Sequence, residues 1–160
     1  MNDGAILGLI DQCGMAATGV AFAHLGDAAA ARRAAADAFV AALAEARWLR
    51  DPSLMPRVIC RLARKKALRV ARSAAAKKIN LTSVSVKGRE CMVLRSLGLS
   101  YERIAFLLGI PKRGVQKEMY AARIAVLSGG GFAGSRQFDG LMNEDCGFVL
   151  KSILLMKAPL

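Results

Sequence analysis

The stretch GLSYERIAFLLGIPKRGVQKEMYAARIAVL, Gly98 to Leu127, sets Gly109 and Pro111 between two segments of helical apolar period. A glycine at that place ends a helix in the left-handed conformation, and a proline two residues on prepares the start of the next. Ser100 is suited to cap the first helix by accepting a hydrogen bond from an amide of its first turn. Ile104, Leu107 and Leu108 form that helix's inner face, with Ala105 small where a second helix must cross. In the second helix Val115 and Met119 point inward, which leaves Lys112, Arg113, Gln116, Lys117 and Tyr120 outward. Cations and an amide at the start of a second helix are what major-groove reading requires: Lys and Arg attract phosphate, and Gln116 can pair with a base edge. A hairpin used only for packing is the alternative.

The rest of the chain reads as helix too. Hydrophobic residues make up 54% of it, many of them alanine, and aromatics only 6%, which favours helices packed through small residues over a sheet with an aromatic core. Alternation of period two is confined to Ser83–Val86, too short to build a sheet. The expected class is all-α. Helical period covers Ile6 to His24, Ala28 to Trp48, and Pro56 to Ala75, with breaks at Gly26-Asp27 and at Arg50–Pro56. Lys77–Gly88 is rich in Ser, Thr and Lys without a helical period and reads as a linker, after which helical period runs from Arg89 to Leu127. The expected organisation is a first helical module over 1–76, a linker over 77–88, a helix-turn-helix module over 89–128, and a Gly-rich segment with a tail over 129–160. Within that tail Gly147–Lys157 has the apolar content of a short docking helix.

The chain carries 24 Lys and Arg against 12 Asp and Glu, a net charge of +12. Such an excess repels itself and calls for a polyanionic partner, nucleic acid ahead of an acidic membrane surface. The charge is clustered. No acidic residue stands between Asp51 and Glu90, while Arg57, Arg61, Arg64, Lys65, Lys66, Arg69, Arg72, Lys77 and Lys78 all fall there. On a helical wheel Arg57, Arg61, Arg64, Lys65 and Arg72 share about one third of the circumference, opposite Ile59, Ala63, Ala67 and Val70. One face is built for burial and the other for phosphate. A membrane-surface helix would carry bulkier apolar residues than these alanines.

Other classes find little support. Cys13, Cys60, Cys91 and Cys146 lie far apart without a Cys-x-x-Cys pair, and His24 is the one histidine, so no metal site and no cofactor is expected. The cysteines read as small buried residues of a reducing cytoplasm. No signal peptide is expected, because Asp3 and Asp11 interrupt the start, and no apolar run is expected to reach the ~20 residues that span a bilayer. A cytoplasmic, nucleoid-associated protein follows. Paired carboxylates, a Ser/His/Asp set and a phosphate loop are missing from the pattern, and Ser128–Ser135, though Gly-rich, lacks the Lys and helix start of a P-loop. An enzyme is not expected.

The run RECMVLRSLGLSYERIAFLLGIPKRGVQKEMYAARIAVL resembles region 4 of bacterial sigma factors, especially the extracytoplasmic-function group. LGDAAAARRAAADAFVAAL is similar to the family's region 2, with Gly26, Asp27 and Phe39 at matching places. DPSLMPRVICRLARKKALRVAR is similar to the stretch that follows, through Asp51, Pro52, Arg61, Ala63, Arg64, Ala67 and Arg72. The resemblance implies a first module that binds the β′ coiled coil of core RNA polymerase and contacts the minus-ten element. It implies a second that binds the β flap and reads the minus-thirty-five element. By that resemblance Arg32, Arg33, Asp37 and Phe39 stand at the polymerase-binding positions, although the family's helix there is acidic. Here Arg32 and Arg33 replace acids, Ala36 stands for Gln, and Asp37 keeps its charge. Reversing two charges at a polar interface costs several kcal/mol against an unchanged partner surface. A sigma-like initiation factor is therefore the first expectation. A divergent activator that contacts polymerase while a partner supplies the DNA address, or a plain helix-turn-helix regulator, are the alternatives. An accessory DNA-binding or anti-sigma protein is a further expected partner, and a membrane is not.

Overall fold

The computed structural model describes residues 3–45, 51–73 and 84–127. Among these every regular element is helical, so the all-α class holds: α1 (Asp3–Leu25), α2 (Ala28–Glu45), a 3-10 turn (Pro52–Leu54) leading into α3 (Met55–Ser73), α4 (Val86–Ser96), α5 (Tyr101–Leu108) and α6 (Lys112–Leu127). Trp48, Lys77, Lys78, Cys146 and the 129–160 tail lie outside the described residues.

From Cys13 to Leu25 α1 is apolar on nearly every side because it is surrounded, whereas Ala5, Leu7, Gly8, Asp11 and Gln12 of its first turns are exposed. Ile10, Cys13, Ala17, Val20, Ala21 and Phe22 are all buried, against α2, α3 and α4. A helix without a polar face must be packed all round. By length and composition Gly4–Leu25 is also long and apolar enough to cross a membrane, with a mean hydropathy of 1.5. That corrects the expectation that no apolar stretch reaches such a length: Asp11 interrupts the run in sequence but barely lowers the average over the whole helix. In this fold its second half lies at the centre of the core.

Local chemistry sets the breaks. Gly26, at φ 63°, ends α1, and its amide donates to the Phe22 carbonyl at 2.9 Å. Asp27 then caps α2, its carboxylate accepting from the Ala30 amide at 2.7 Å. α2 buries Ala31, Ala34, Ala35, Ala36, Ala38 and Ala42 around a single large side chain, Phe39. Small residues on that face let the backbones of α1 and α3 come close. Asp51 caps the 3-10 turn by accepting from the Ser53 amide at 2.9 Å. α3 seats Ile59, Leu62, Ala63 and Ala67 against α1 and α2. Val70 departs from the wheel: it is 39% exposed, because the last turns of α3 run past the body and only Ala71 there still touches the core.

α4 begins at Val86, three residues before the Arg89 expected from apolar period. Ser85 caps it, accepting from the Gly88 amide at 2.9 Å and donating to the Glu118 carboxylate of α6 at 2.6 Å. The last three helices do not stand apart from the first three. Ala16 and Val20 of α1 and Cys60 of α3 share one core with Cys91, Leu94, Ile104, Val115 and Met119. α4 crosses α1 at Gly19, where an added Cβ would lie 3.0 Å from both Val93 Cγ1 and Leu97 Cδ1. Cys13, Cys60 and Cys91 are free and buried within this interior. Burial pushes the Cys13 and Cys91 thiols up to about 12 and Cys60 higher still, which makes them packing groups rather than nucleophiles.

Candidate nucleic-acid interface

The helix-turn-helix is built as its sequence dictates. Ser100 Oγ accepts from the Arg103 amide at 3.2 Å. Gly109 takes the left-handed conformation at φ 67°, and the Ile110 amide returns to the Ala105 carbonyl at 3.1 Å, which closes the end of α5. The Pro111 carbonyl accepts from the Val115 amide at 3.2 Å and opens α6. Val115 and Met119 are buried, whereas Lys112, Arg113, Gln116 and Lys117 are exposed and Tyr120 is 69% exposed. Lys112 is not a free cation, since its ammonium is paired with the Glu102 carboxylate. Arg113, Gln116 and Lys117 remain as the forward-facing set.

α3 presents the second cationic surface. Arg57, Arg61, Lys65 and Arg72 are exposed on it. Arg61, Arg64, Lys65, Leu68, Arg69 and Arg72 line a hollow of about 440 Å³ along its length. A second hollow of about 310 Å³ adjoins it, where Arg57, Arg61 and Arg64 face Leu107, Leu108 and Gly109 at the hairpin turn. The approach is close: a Cβ at Gly109 would lie 2.6 Å from Arg57 Nη2. The Arg57 guanidinium therefore sits at the C-terminal end of α5, where the helix dipole favours a positive charge. The basic face of α3 and the turn before α6 are thus brought side by side. Arg61 also faces Glu45 at 3.6 Å, an exposed pair of small energetic weight.

Arg64 plays a different part from its neighbours on the wheel. Its Nε and Nη2 hold both oxygens of Glu90, at 2.7 and 2.8 Å, and His24 Nε2 meets Oε1 at 2.8 Å. Glu90 is 1% exposed. Burial alone would raise its carboxyl, but the hydrogen bonds from His24 and Arg64, with their charges, outweigh burial and hold it below the ordinary carboxylate range. The Arg64 guanidinium is in turn held more firmly protonated by its hydrogen bonds to Glu90. This cluster ties α1, α3 and α4 together at one point, and it occupies the guanidinium that the wheel assigned to phosphate. One signal in the sequence pointed to it. Glu90 is the first acid after Asp51, at the far end of a strongly basic run, and such a lone acid is the natural counter-ion for one of those cations.

The expected polymerase-binding set divides. Phe39 is 1% exposed, its ring packed into the core between α1 and α3, so it shapes α2 from within rather than offering a contact surface. Arg33 is exposed. Arg32 and Asp37 are half-buried, and both interact with other groups of the chain. Among the described residues no three His, Cys, Asp or Glu side chains converge on a point where a metal ion would sit. Comparison of the chain with protein-family models, curated proteins and solved structures yields no match.

Proposed function

We propose that this chain is a sigma-like transcription factor, acting in the cytoplasm at the nucleoid, that binds core RNA polymerase and promoter DNA to direct transcription initiation. The observation that carries the reading is the surface of α6: Arg113, Gln116 and Lys117 are exposed at the start of the second helix of a capped hairpin whose inner face is buried. Helix-turn-helix proteins set such side chains against base edges and phosphates of the major groove. The adjoining cations of α3 add sequence-independent attraction to the DNA backbone. In the mechanism this suggests, Arg57, Arg61, Lys65 and Arg72 hold the phosphates, Arg113 and Lys117 draw α6 into the groove, and Gln116 supplies a bidentate amide for an adenine edge.

A second reading is favoured by α2. Arg33 presents positive charge where the sigma family presents acid, and Phe39 is enclosed in the core. Both features suit a divergent activator that meets polymerase through a different surface while a partner supplies the DNA address. Two assays separate the readings: co-purification of the full chain with purified core polymerase, and transcription from that complex. Promoter-specific transcripts from the two-component complex support the sigma-like factor. Co-purification with transcripts only on adding a third protein supports the activator. Failure to co-purify removes both and leaves a helix-turn-helix regulator that acts on DNA alone.

A further inference from the structure

The basic face of α3 and the start of α6 are fixed relative to each other, and their combined length is short. Three contacts fix them. Glu90 of α4 is enclosed between Arg64 of α3 and His24 of α1 at 2.7–2.8 Å. α4 meets α1 at Gly19 with no room for even a methyl group at ordinary contact distance. Arg57 of α3 lies on Gly109 at the hairpin turn. From Arg57 to Arg72 a helix rises ~22 Å at 1.5 Å per residue. Arg57 reaches Gly109 through its side chain, which separates their Cα atoms by at most ~11 Å. Lys112 is three residues beyond Gly109, at most ~11 Å further, and Lys117 lies another ~8 Å along α6. Among the described residues the cationic surface from Arg72 to Lys117 therefore spans at most ~52 Å, about one and a half turns of duplex DNA at ~34 Å per turn.

Resting on the DNA-binding reading above, we infer that the chain engages a single contiguous DNA segment of at most about one and a half helical turns, with α3 on the backbone and α6 in the adjoining major groove. It is not a pair of arms for two separated elements. Elements named for positions minus-ten and minus-thirty-five stand ~85 Å apart at ~3.4 Å per base pair, well beyond this surface. The buried Glu90 cluster is what holds the two parts of the surface in register, and Arg64 serves that purpose in place of a phosphate contact.

The test is the occluded site size of the full chain on a long mixed-sequence duplex, from stoichiometric titration at low salt followed by fluorescence anisotropy. The inference expects about 10–15 base pairs per bound chain, and full per-site affinity already on a duplex of about 15 base pairs. A site size of about 20 base pairs or more, with weak binding to duplexes of about 15 base pairs, would overturn the inference while leaving DNA binding intact. Absence of binding at every duplex length and at low salt would overturn the DNA-binding reading itself, and the inference with it.

Discussion

Replacing Glu90 by alanine probes the join between the two halves of the molecule. The carboxylate is 1% exposed and receives two hydrogen bonds from Arg64 and one contact from His24, all within 2.8 Å. Removing one member of a buried ion pair costs about 3–5 kcal/mol, because the other charge is left without compensation. The Arg64 side chain is 31% exposed, so its freed guanidinium can turn toward water, which places the expected loss at the lower end, about 3 kcal/mol. At a urea dependence near 2 kcal/mol per molar, the unfolding midpoint should fall by about 1.5 M. For a chain of this size the melting temperature should fall by about 6–12 °C. Circular dichroism at 222 nm reads both transitions. A double variant, Glu90→Leu with Arg64→Met, fills the same space without charge and should recover at least half of the loss, since a buried pair is often replaceable by packed apolar residues. A loss below about 1 kcal/mol in Glu90→Ala would mean that the cluster does not hold the fold together.

Three other outcomes follow from the same geometry. Because the Glu90 carboxyl is held below its ordinary value of 4.5 in the folded chain, its contribution is complete above that pH and is lost as pH falls further, through the folded value. Acid titration followed by circular dichroism should show this loss in the wild type and a smaller one in Glu90→Gln; equal acid sensitivity would contradict the assignment. Gly109→Ala forces a side chain into φ 67° and displaces the Arg57 guanidinium, and urea unfolding should show a loss of about 1–2 kcal/mol, with no loss refuting the close approach. Gly19→Leu overfills the crossing of α1 and α4 against Val93 and Leu97 and should cost about 1–3 kcal/mol, whereas in Gly19→Ala the gain in helix propensity of ~1 kcal/mol offsets much of the contact, so similar stabilities for the two would argue against a tight crossing.

The parts of this fold that were legible in sequence are those decided within a few residues. Ser100, Gly109 and Pro111 announce the hairpin because a cap, a left-handed residue and a fixed φ act on their immediate neighbours. The outward set of α6 follows from the spacing of Val115 and Met119 alone. Glu90 stood out as the first acid after a basic run, but which groups it would meet was not legible, since Arg64 and His24 stand 26 and 66 residues away in the chain and only the packing of three helices brings them together. That same packing turned Arg64 inward, although a helical wheel cannot distinguish it from Arg61. The wheel likewise could not show that α3 outruns its neighbours, so it hid Val70 when the fold exposes it. The start of α4 was obscured by composition: Ser85 is the cap, but it stands in a Ser- and Thr-rich stretch that reads as linker. Alanine faces were the least informative, because α2 buries six alanines that name no particular partner.

The proposed DNA-binding surface is formed by the exposed faces of α3 and α6 together. The most direct test is the salt dependence of duplex binding by the full chain, measured by fluorescence anisotropy alongside the double variant Arg113→Ala/Lys117→Ala. With about six phosphates neutralised by Arg57, Arg61, Lys65, Arg72, Arg113 and Lys117, log affinity should fall with log salt at a slope near −5.4, an approximately 2000-fold loss between 50 and 200 mM. The double variant should keep its helicity and lower the slope by about two. A flat salt response, or a variant that binds as steeply as the wild type, would contradict the claim.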